Sequence, residues 1–257
     1  PPNPRPALSS RRQTQLFVMA LLPWRKGIVT KIEDHTPTTR RFWIQVPELE
    51  RFDFKPGQFV TLDLPIHEKI NKRLRSYSIA SWPDGTNEFE LLIVRAKDGV
   101  GTAYLFDEIK TGSEITFRGA QGVFTLPEQT DKKIILVCTG TGLAPFRSMV
   151  QLACRTHAPA PELHIVFGCR TREELLYYEE LKALEANCSL FHFHPVLSRE
   201  QWDGPTGYVH PIYESICASH PPALFYLCGW KNMIDEAKQR ILALGYDKKD
   251  IHQELYG

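Results

Sequence analysis

"KIILVCTGTGLAPFRS", Lys133 to Ser148, is the stretch on which the fold turns. Its first six residues are a near-continuous apolar run, the pattern of a strand buried on both faces. Thr139, Gly140, Thr141 and Gly142 then turn the chain. Pro145 fits the first turn of a following helix, where its missing N–H costs nothing. Strand, glycine turn and helix in that order aim free backbone amides and the positive helix end at one place, which suits a pyrophosphate. Glycines also mark ordinary strand-to-helix packing turns, and Pro145 stands where a dinucleotide fingerprint has its third glycine. On the loop alone both readings are open.

Downstream the same grammar repeats. "LHIVFG" precedes a helical stretch from Arg172 to Leu184, "LFHFHPVL" one from His210 to Cys217, and "LFYLCG" one from Lys231 to Leu244, before a last extended piece, "DIHQELYG". Alternation of this kind predicts a parallel sheet with helices on both faces, and ligands bound at the carboxyl ends of its strands. Upstream, between Gly27 and Phe124, the pattern is different. Short runs of period-two character ("RRFWIQV", "QFVTLDL", "RSYSIAS", "EFELLIV", "EITFRG") alternate with turn signals such as Pro56-Gly57 and Thr111-Gly112, with one helical stretch near Thr102 to Ile109. That reads as a small antiparallel barrel. The expected fold class is therefore two-domain: an N-terminal antiparallel β-barrel over 23–127, then an α/β parallel-sheet nucleotide-binding domain over 128–257, preceded by a flexible extension, 1–22. A chain of 257 residues is long enough for two such cores.

Composition excludes several classes. With 31 Lys and Arg against 30 Asp and Glu, nothing global points to nucleic acid or an anionic membrane. No apolar run reaches the roughly 18–20 residues of a spanning helix, so a soluble, cytoplasmic, monomeric protein is expected. The N-terminal stretch has no acid before Glu33, and a transit-like segment and an upstream extension are its competing readings. All six cysteines lie in the second half, no two closer than 11 residues, which gives no metal-type or iron–sulfur spacing and predicts mostly buried, reduced thiols. His192 and His194 share a strand face, but without further ligands they read as a structural pair, and no metal is expected.

The strand ends speak to the coenzyme. A site for NAD usually carries an acid after the second strand, to take the ribose 2′-hydroxyl. Here that strand runs into "VFGCRTREE", with Arg170 and Arg172 before any carboxylate, and the third ends "LSREQ", with Ser198 and Arg199. A hydroxyl and a guanidinium suit a 2′-phosphate, which favours NADP(H) over NAD(H); solvated surface arginines are the competing reading of Arg170 and Arg172. In the first half, "RLRSYSIAS" sends Arg75 and Tyr77 to one side of a strand and Ser78 to the other. "KDGVGTAYLF" follows as a second glycine turn into a helix, a second candidate anion site.

At this point the chain resembles the ferredoxin–NADP reductase superfamily of two-domain flavoproteins, over roughly Gly27 to Gly257. "RSYS" (Arg75, Ser76, Tyr77, Ser78) resembles its Arg-x-Tyr-Ser flavin signature, and "GVGT" (Gly99, Gly101 and Thr102) its turn against the FAD pyrophosphate. "GTGLAPFRS" resembles its nicotinamide-nucleotide loop, with "LLYYEEL", "SREQ" and "CGWKNM" as later landmarks; "SREQ" and the terminal "ELY" are similar to the plant-type branch. The resemblance implies a flavoenzyme that passes hydride between NADP(H) and FAD, and single electrons to a separate carrier, ferredoxin or flavodoxin. It implies that Arg75 binds FAD phosphate, that Tyr77 and Tyr256 stack on the flavin, and that Ser78 lies near its N5. Cys228, with the adjoining Gly229, and Glu254 are implied beside the nicotinamide, Tyr256 is implied to move aside for it, and Ser198, Arg199 and Tyr208 to read the 2′-phosphate. "WDGPTGYVHP", after "SREQ", is similar instead to NADH-using bacterial relatives. Two alternatives therefore stand beside this reading: an NADH-dependent reductase component feeding an oxygenase, and a flavin-binding sensor with little turnover.

Overall fold

The computed structural model of the protein describes residues 22–156 and 161–256; apart from Leu22, the expected N-terminal extension lies outside the described residues. Six antiparallel strands form the first half: β1 (Arg25–Thr36), β2 (Thr39–Gln45), β3 (Phe59–Asp63), β4 (Leu74–Ser78), β5 (Glu88–Val94) and β6 (Glu114–Gln121). They run in the order β4-β3-β6-β1-β2-β5. The two edges meet just beyond β4, where Ile79 bridges Leu91 and the Ala80 N–H donates to the Glu90 carbonyl at 2.8 Å. That contact turns an open sheet into a barrel. Inward positions of the strands are fully buried, among them Phe42, Ile44, Val60, Leu62, Phe89 and Phe117, and they pack as one core. The longest strand, β1, is the one least visible in the sequence. Its charged residues and two register shifts break the alternation that marks the others.

The second half is a parallel sheet of β7 (Lys133–Thr139), β8 (Leu163–Cys169), β9 (Phe191–Leu197), β10 (Ala223–Gly229) and β11 (Ile251–Leu255), in the order β11-β10-β7-β8-β9. Helices α2 (Leu143–Arg155) and α3 (Tyr178–Asn187) cover one face, with Phe146, Val150 and Leu181 in a core that also holds Leu136, Ile165 and Phe193. The opposite face carries α4 (His210–Ile216) and α5 (Lys231–Ala243), with Tyr213, Ile234 and Ile241 packed on Val137, Val166 and Phe225. The two-domain fold read from the sequence is the fold observed.

Two local expectations are corrected. The helix expected from Arg172 begins only at Tyr178: a 3-10 turn spans Arg172–Glu174, and Tyr177 takes a left-handed φ of 52°. Tertiary contacts hold it there, because its N–H donates to Nε2 of His35 at 2.8 Å and its hydroxyl to Glu90, both on the barrel. The thiols of Cys154 and Cys188, expected reduced, are joined in a disulfide that ties the end of α2 to the residue after α3. Packing of these two helices on one sheet face brings their ends together. Cys138, Cys169, Cys217 and Cys228 are free. Among the described residues no helix is long and apolar enough to cross a membrane.

A buried ion network fixes one half against the other. Arg147, on α2 and only 3% exposed, donates to the Ala80 carbonyl at 2.8 Å and to Glu90 Oε2 at 2.9 Å on the barrel, and to both oxygens of Glu180 on α3. Arg41 on β2 donates to Glu90 Oε1 at 2.6 Å. Burial alone would push the Glu90 carboxyl up, but Arg147 and Arg41, with the Tyr177 hydroxyl, outweigh it and hold it below the ordinary carboxylate range. Sequence reasoning misses this network. Its one local signal is a pair of long polar residues one helical turn apart, Arg147 and Gln151, both buried on α2.

Candidate active site

Four of the residues singled out as reactive meet where the end of β4 faces the carboxyl ends of β10 and β11. In the parallel sheet Cys228 is in register with Cys138 on one side and Glu254 on the other. Ser78, 3% exposed at the end of β4, lies across from them on the barrel. The Tyr256 hydroxyl donates to Ser78 Oγ at 2.5 Å, and Ser78 in turn donates to Glu254 Oε2 at 3.2 Å. The donor direction runs one way, from phenol to serine to carboxylate.

The electrostatics suit hydride chemistry more than nucleophilic chemistry. Burial, then the nearby Glu254, raises the Cys228 thiol well above its ordinary value, so it stays protonated and is a poor nucleophile. Burial raises the Glu254 carboxyl, with the Ser78 hydrogen bond opposing. The Tyr256 phenol is raised by burial and by Cys228 and Glu254, so it remains a donor at neutral pH. Tyr77, on the face of β4 opposite Ser78, is pushed up to about 12 by burial and is likewise neutral.

Two helix ends stand at the candidate anion sites read from the sequence. Helix α1 (Val100–Asp107) starts two residues earlier than expected, with Gly99 extended at its N-cap and no side chain satisfying its first amides. Arg75 crosses this end so closely that a Cβ on Gly101 would stand 2.9 Å from its Nε. The Thr102 hydroxyl is used inside the turn, donating to the Gly99 carbonyl at 3.0 Å and accepting from the Ala96 N–H at 3.1 Å. It shapes the loop, while the backbone amides stay available. Ser76 faces the other way, exposed and hydrogen-bonded to Thr61.

At the second helix end, Gly140–Gly142 form a 3-10 turn running into α2, again without a side-chain cap, and buried Pro145 is in the helix's first turn. Gly140 has φ of 54° with nothing within 4 Å of where a Cβ would stand, so the turn opens outward. Gly142 is the reverse case, because a Cβ there would meet the Cys228 carbonyl oxygen at 2.4 Å. Thr139 completes the seam by accepting the Trp230 N–H at 3.3 Å beside Gly229. The helix geometry fits a pyrophosphate, and the second glycine is required by close packing against β10. Gly142→Ala is expected to force the two strand ends apart, lowering stability by ~1–3 kcal/mol and weakening nucleotide binding, measured by denaturant midpoint and nucleotide titration.

The candidate 2′-phosphate residues lie at the ends of β8 and β9. Ser198 donates its N–H and hydroxyl to the Cys169 carbonyl, and the Arg199 N–H donates to the Arg170 carbonyl at 2.9 Å. Arg170 is paired with Glu174, and Arg172 with Asp203. Arg199 is exposed and makes no ion pair with any described residue. Tyr208 is 74% exposed nearby in the chain.

Barrel, parallel sheet and two uncapped helix ends around one hydrogen-bonded junction define a class: an oxidoreductase with one domain for FAD and one for a nicotinamide nucleotide. Comparison with known proteins agrees. Residues 26–126 match the oxidoreductase FAD-binding domain family, and residues 136–239 the oxidoreductase NAD-binding domain family. The chain belongs to the ferredoxin–NADP reductase family. It is 34% identical to ferredoxin–NADP reductase B of Sorangium cellulosum over 86% of this chain and 93% of that one. It is 28% identical to the glycine betaine monooxygenase reductase subunit of Chromohalobacter salexigens, over 88% of this chain and 62% of that one. Among solved structures, the ferredoxin NADP+ reductase of Neisseria gonorrhoeae, with bound FAD and NADP, is similar with a TM-score of 0.73 and 27% identity, over 90% of this chain and 98% of that one. An Amycolatopsis cytochrome P450 reductase gives 0.81 and 27%, over 91% and 70%.

Proposed function

We propose that this chain oxidises NADPH through bound FAD and delivers the electrons to a separate carrier of the ferredoxin or flavodoxin kind. The observation that carries the reading is the Tyr256–Ser78–Glu254 hydrogen-bond chain beside Cys228, which joins the two halves where their ligand-binding ends meet. FAD, when bound, supplies the chemistry, taking two electrons together and releasing them singly. The chain's own residues position and enclose. Arg75 and the α1 amides hold the flavin nucleotide's phosphates, and the Gly140–Gly142 turn with α2 holds those of the nicotinamide nucleotide. Tyr77 and Tyr256 offer flat, neutral rings, and Ser78, Glu254 and Cys228 line the reacting junction. The chain spans 93% of the length of a ferredoxin–NADP reductase and 62% of that of a monooxygenase reductase subunit, so the first kind of relative matches it over most of its length. Lys69 and Lys72, exposed beside Arg75, give an acidic carrier a basic place to dock.

Arg199, exposed and without an ion pair among the described residues, supports NADPH, with Ser198 and Tyr208 beside it in the reading. The second reading, an NADH-dependent reductase of an oxygenase system, draws on the carboxylates Glu174 and Asp203, which already occupy Arg170 and Arg172. Anaerobic mixing of the flavin-loaded protein with each coenzyme separates them. Flavin bleaching at least about tenfold faster with NADPH, a preference of over ~1.4 kcal/mol, supports the first reading. Faster bleaching by NADH moves the protein to the second, and no bleaching by either removes both.

A further inference from the structure

Three histidines and a glutamate meet at the end of the parallel sheet far from the reacting junction. His164 is the second residue of β8 and His192 the second of β9, and they are direct register partners. His194 follows two residues on, on the same face of the strand. The rings stack, with centroids 4.8 Å apart and planes 24° apart for His164 and His192, and 5.4 Å and 17° for His164 and His194. Glu162, just before β8, places Oε1 2.9 Å from His164 Nε2 and 3.5 Å from His192 Nε2. Lys133 holds the other carboxylate oxygen at 2.5 Å, which fixes the group and leaves Oε1 facing the two rings.

We infer that Glu162, His164 and His192 form a binding site for a divalent first-row cation of the zinc kind. One carboxylate oxygen and two imidazole nitrogens lie within 4.8 Å of one another. A tetrahedral ion with bonds of about 2.0–2.2 Å asks for ligand atoms roughly 3.3–3.6 Å apart, within small ring rotations of this arrangement. Glu162 and His192 are partly exposed, so the ion has an entry path and a water can complete the shell. His164 brings the outer partner that ligating histidines need. Its Nδ1 is 3.1 Å from Nε2 of His194, so a proton kept on Nδ1 leaves Nε2 free for the metal. Two imidazoles with one carboxylate favour zinc, copper, nickel or iron over calcium and magnesium. Of the pair His192 and His194, visible in the sequence, His192 becomes a ligand and His194 an outer partner only because sheet pairing adds His164 and Glu162. The site would clamp the outer strand β9 to β8, about 16 Å along the strand from the nucleotide end.

The test is zinc titration of the untagged, full-length, flavin-loaded protein by calorimetry, beside His192→Ala and Glu162→Gln. One Zn2+ per chain, with affinity lowered at least ~10-fold in both variants and NADPH-driven flavin reduction unchanged, is the expected result. Absence of stoichiometric uptake overturns the inference. So does wild-type affinity in both variants, which would put the ion on other groups such as the free cysteines. Flavin content, measured in each variant, separates loss of the site from loss of the fold.

Discussion

Glu90→Ala is expected to lower stability by ~2–4 kcal/mol, because it removes the buried carboxylate between buried Arg147 and partly buried Arg41 and leaves each with a single acidic partner, Glu180 and Glu33. It also removes the acceptor that holds Tyr177 in its left-handed turn. The denaturant midpoint of the flavin-loaded protein checks this, and an unchanged midpoint would mean the network does not hold the halves together. Glu90→Gln, which keeps the shape and loses the charge, is expected to cost less. The pH dependence follows from the direction of the shift. Since the folded carboxyl sits below its ordinary value of 4.5, its contribution is full above that pH and is lost as pH falls through the lower folded value. Stability of Glu90→Gln should therefore fall less steeply than wild type in acid below about pH 4.5.

The second large effect is expected at Ser78. Ser78→Ala removes at once the acceptor of the Tyr256 hydroxyl and the donor to Glu254, leaving a partly buried carboxylate without that partner at the junction of the two halves. Single-turnover flavin reduction at saturating NADPH is expected to slow by ~10²-fold, the usual penalty for misplacing groups by about an ångström around a hydride transfer. FAD content should stay normal, because Arg75 and the α1 end are untouched. A normal reduction rate with normal flavin content would take Ser78 out of the reacting junction and leave it a packing residue. Loss of flavin would instead place its role in cofactor binding.

Those parts of the site that lie in short stretches are legible in the sequence. The Gly140–Gly142 turn and the "GVGT" turn are legible as local turn signals, Gly140 through its positive φ and Gly99 through the space beside Ala96, while Gly142 and Gly101 answer to Cys228 and Arg75 elsewhere in the chain. Coenzyme discrimination is only half legible. Arg170 and Arg172 read as candidates in the chain, yet both are paired with carboxylates, Asp203 standing 31 residues beyond its partner, and this leaves Arg199 as the exposed arginine of the three without an ion pair among the described residues. The helix expected from Arg172 fails for a similar reason: helical periodicity is a local preference, and contacts from the barrel override it at Tyr177.

By itself the sequence determined the two halves, the order and type of most strands and helices, and the two glycine turns that end in uncapped helices. These follow from hydrophobic period, turn chemistry and strand-to-helix grammar, all of which act over a few residues. Only the tertiary structure decided which distant groups meet. Ser78 and Glu254 are 176 residues apart, Arg147 reaches back 57 residues to Glu90, and His164 joins His192 across 28. Such pairs are set by strand register and by burial of charge against charge, which depend on the whole packed chain and leave no periodic trace in it.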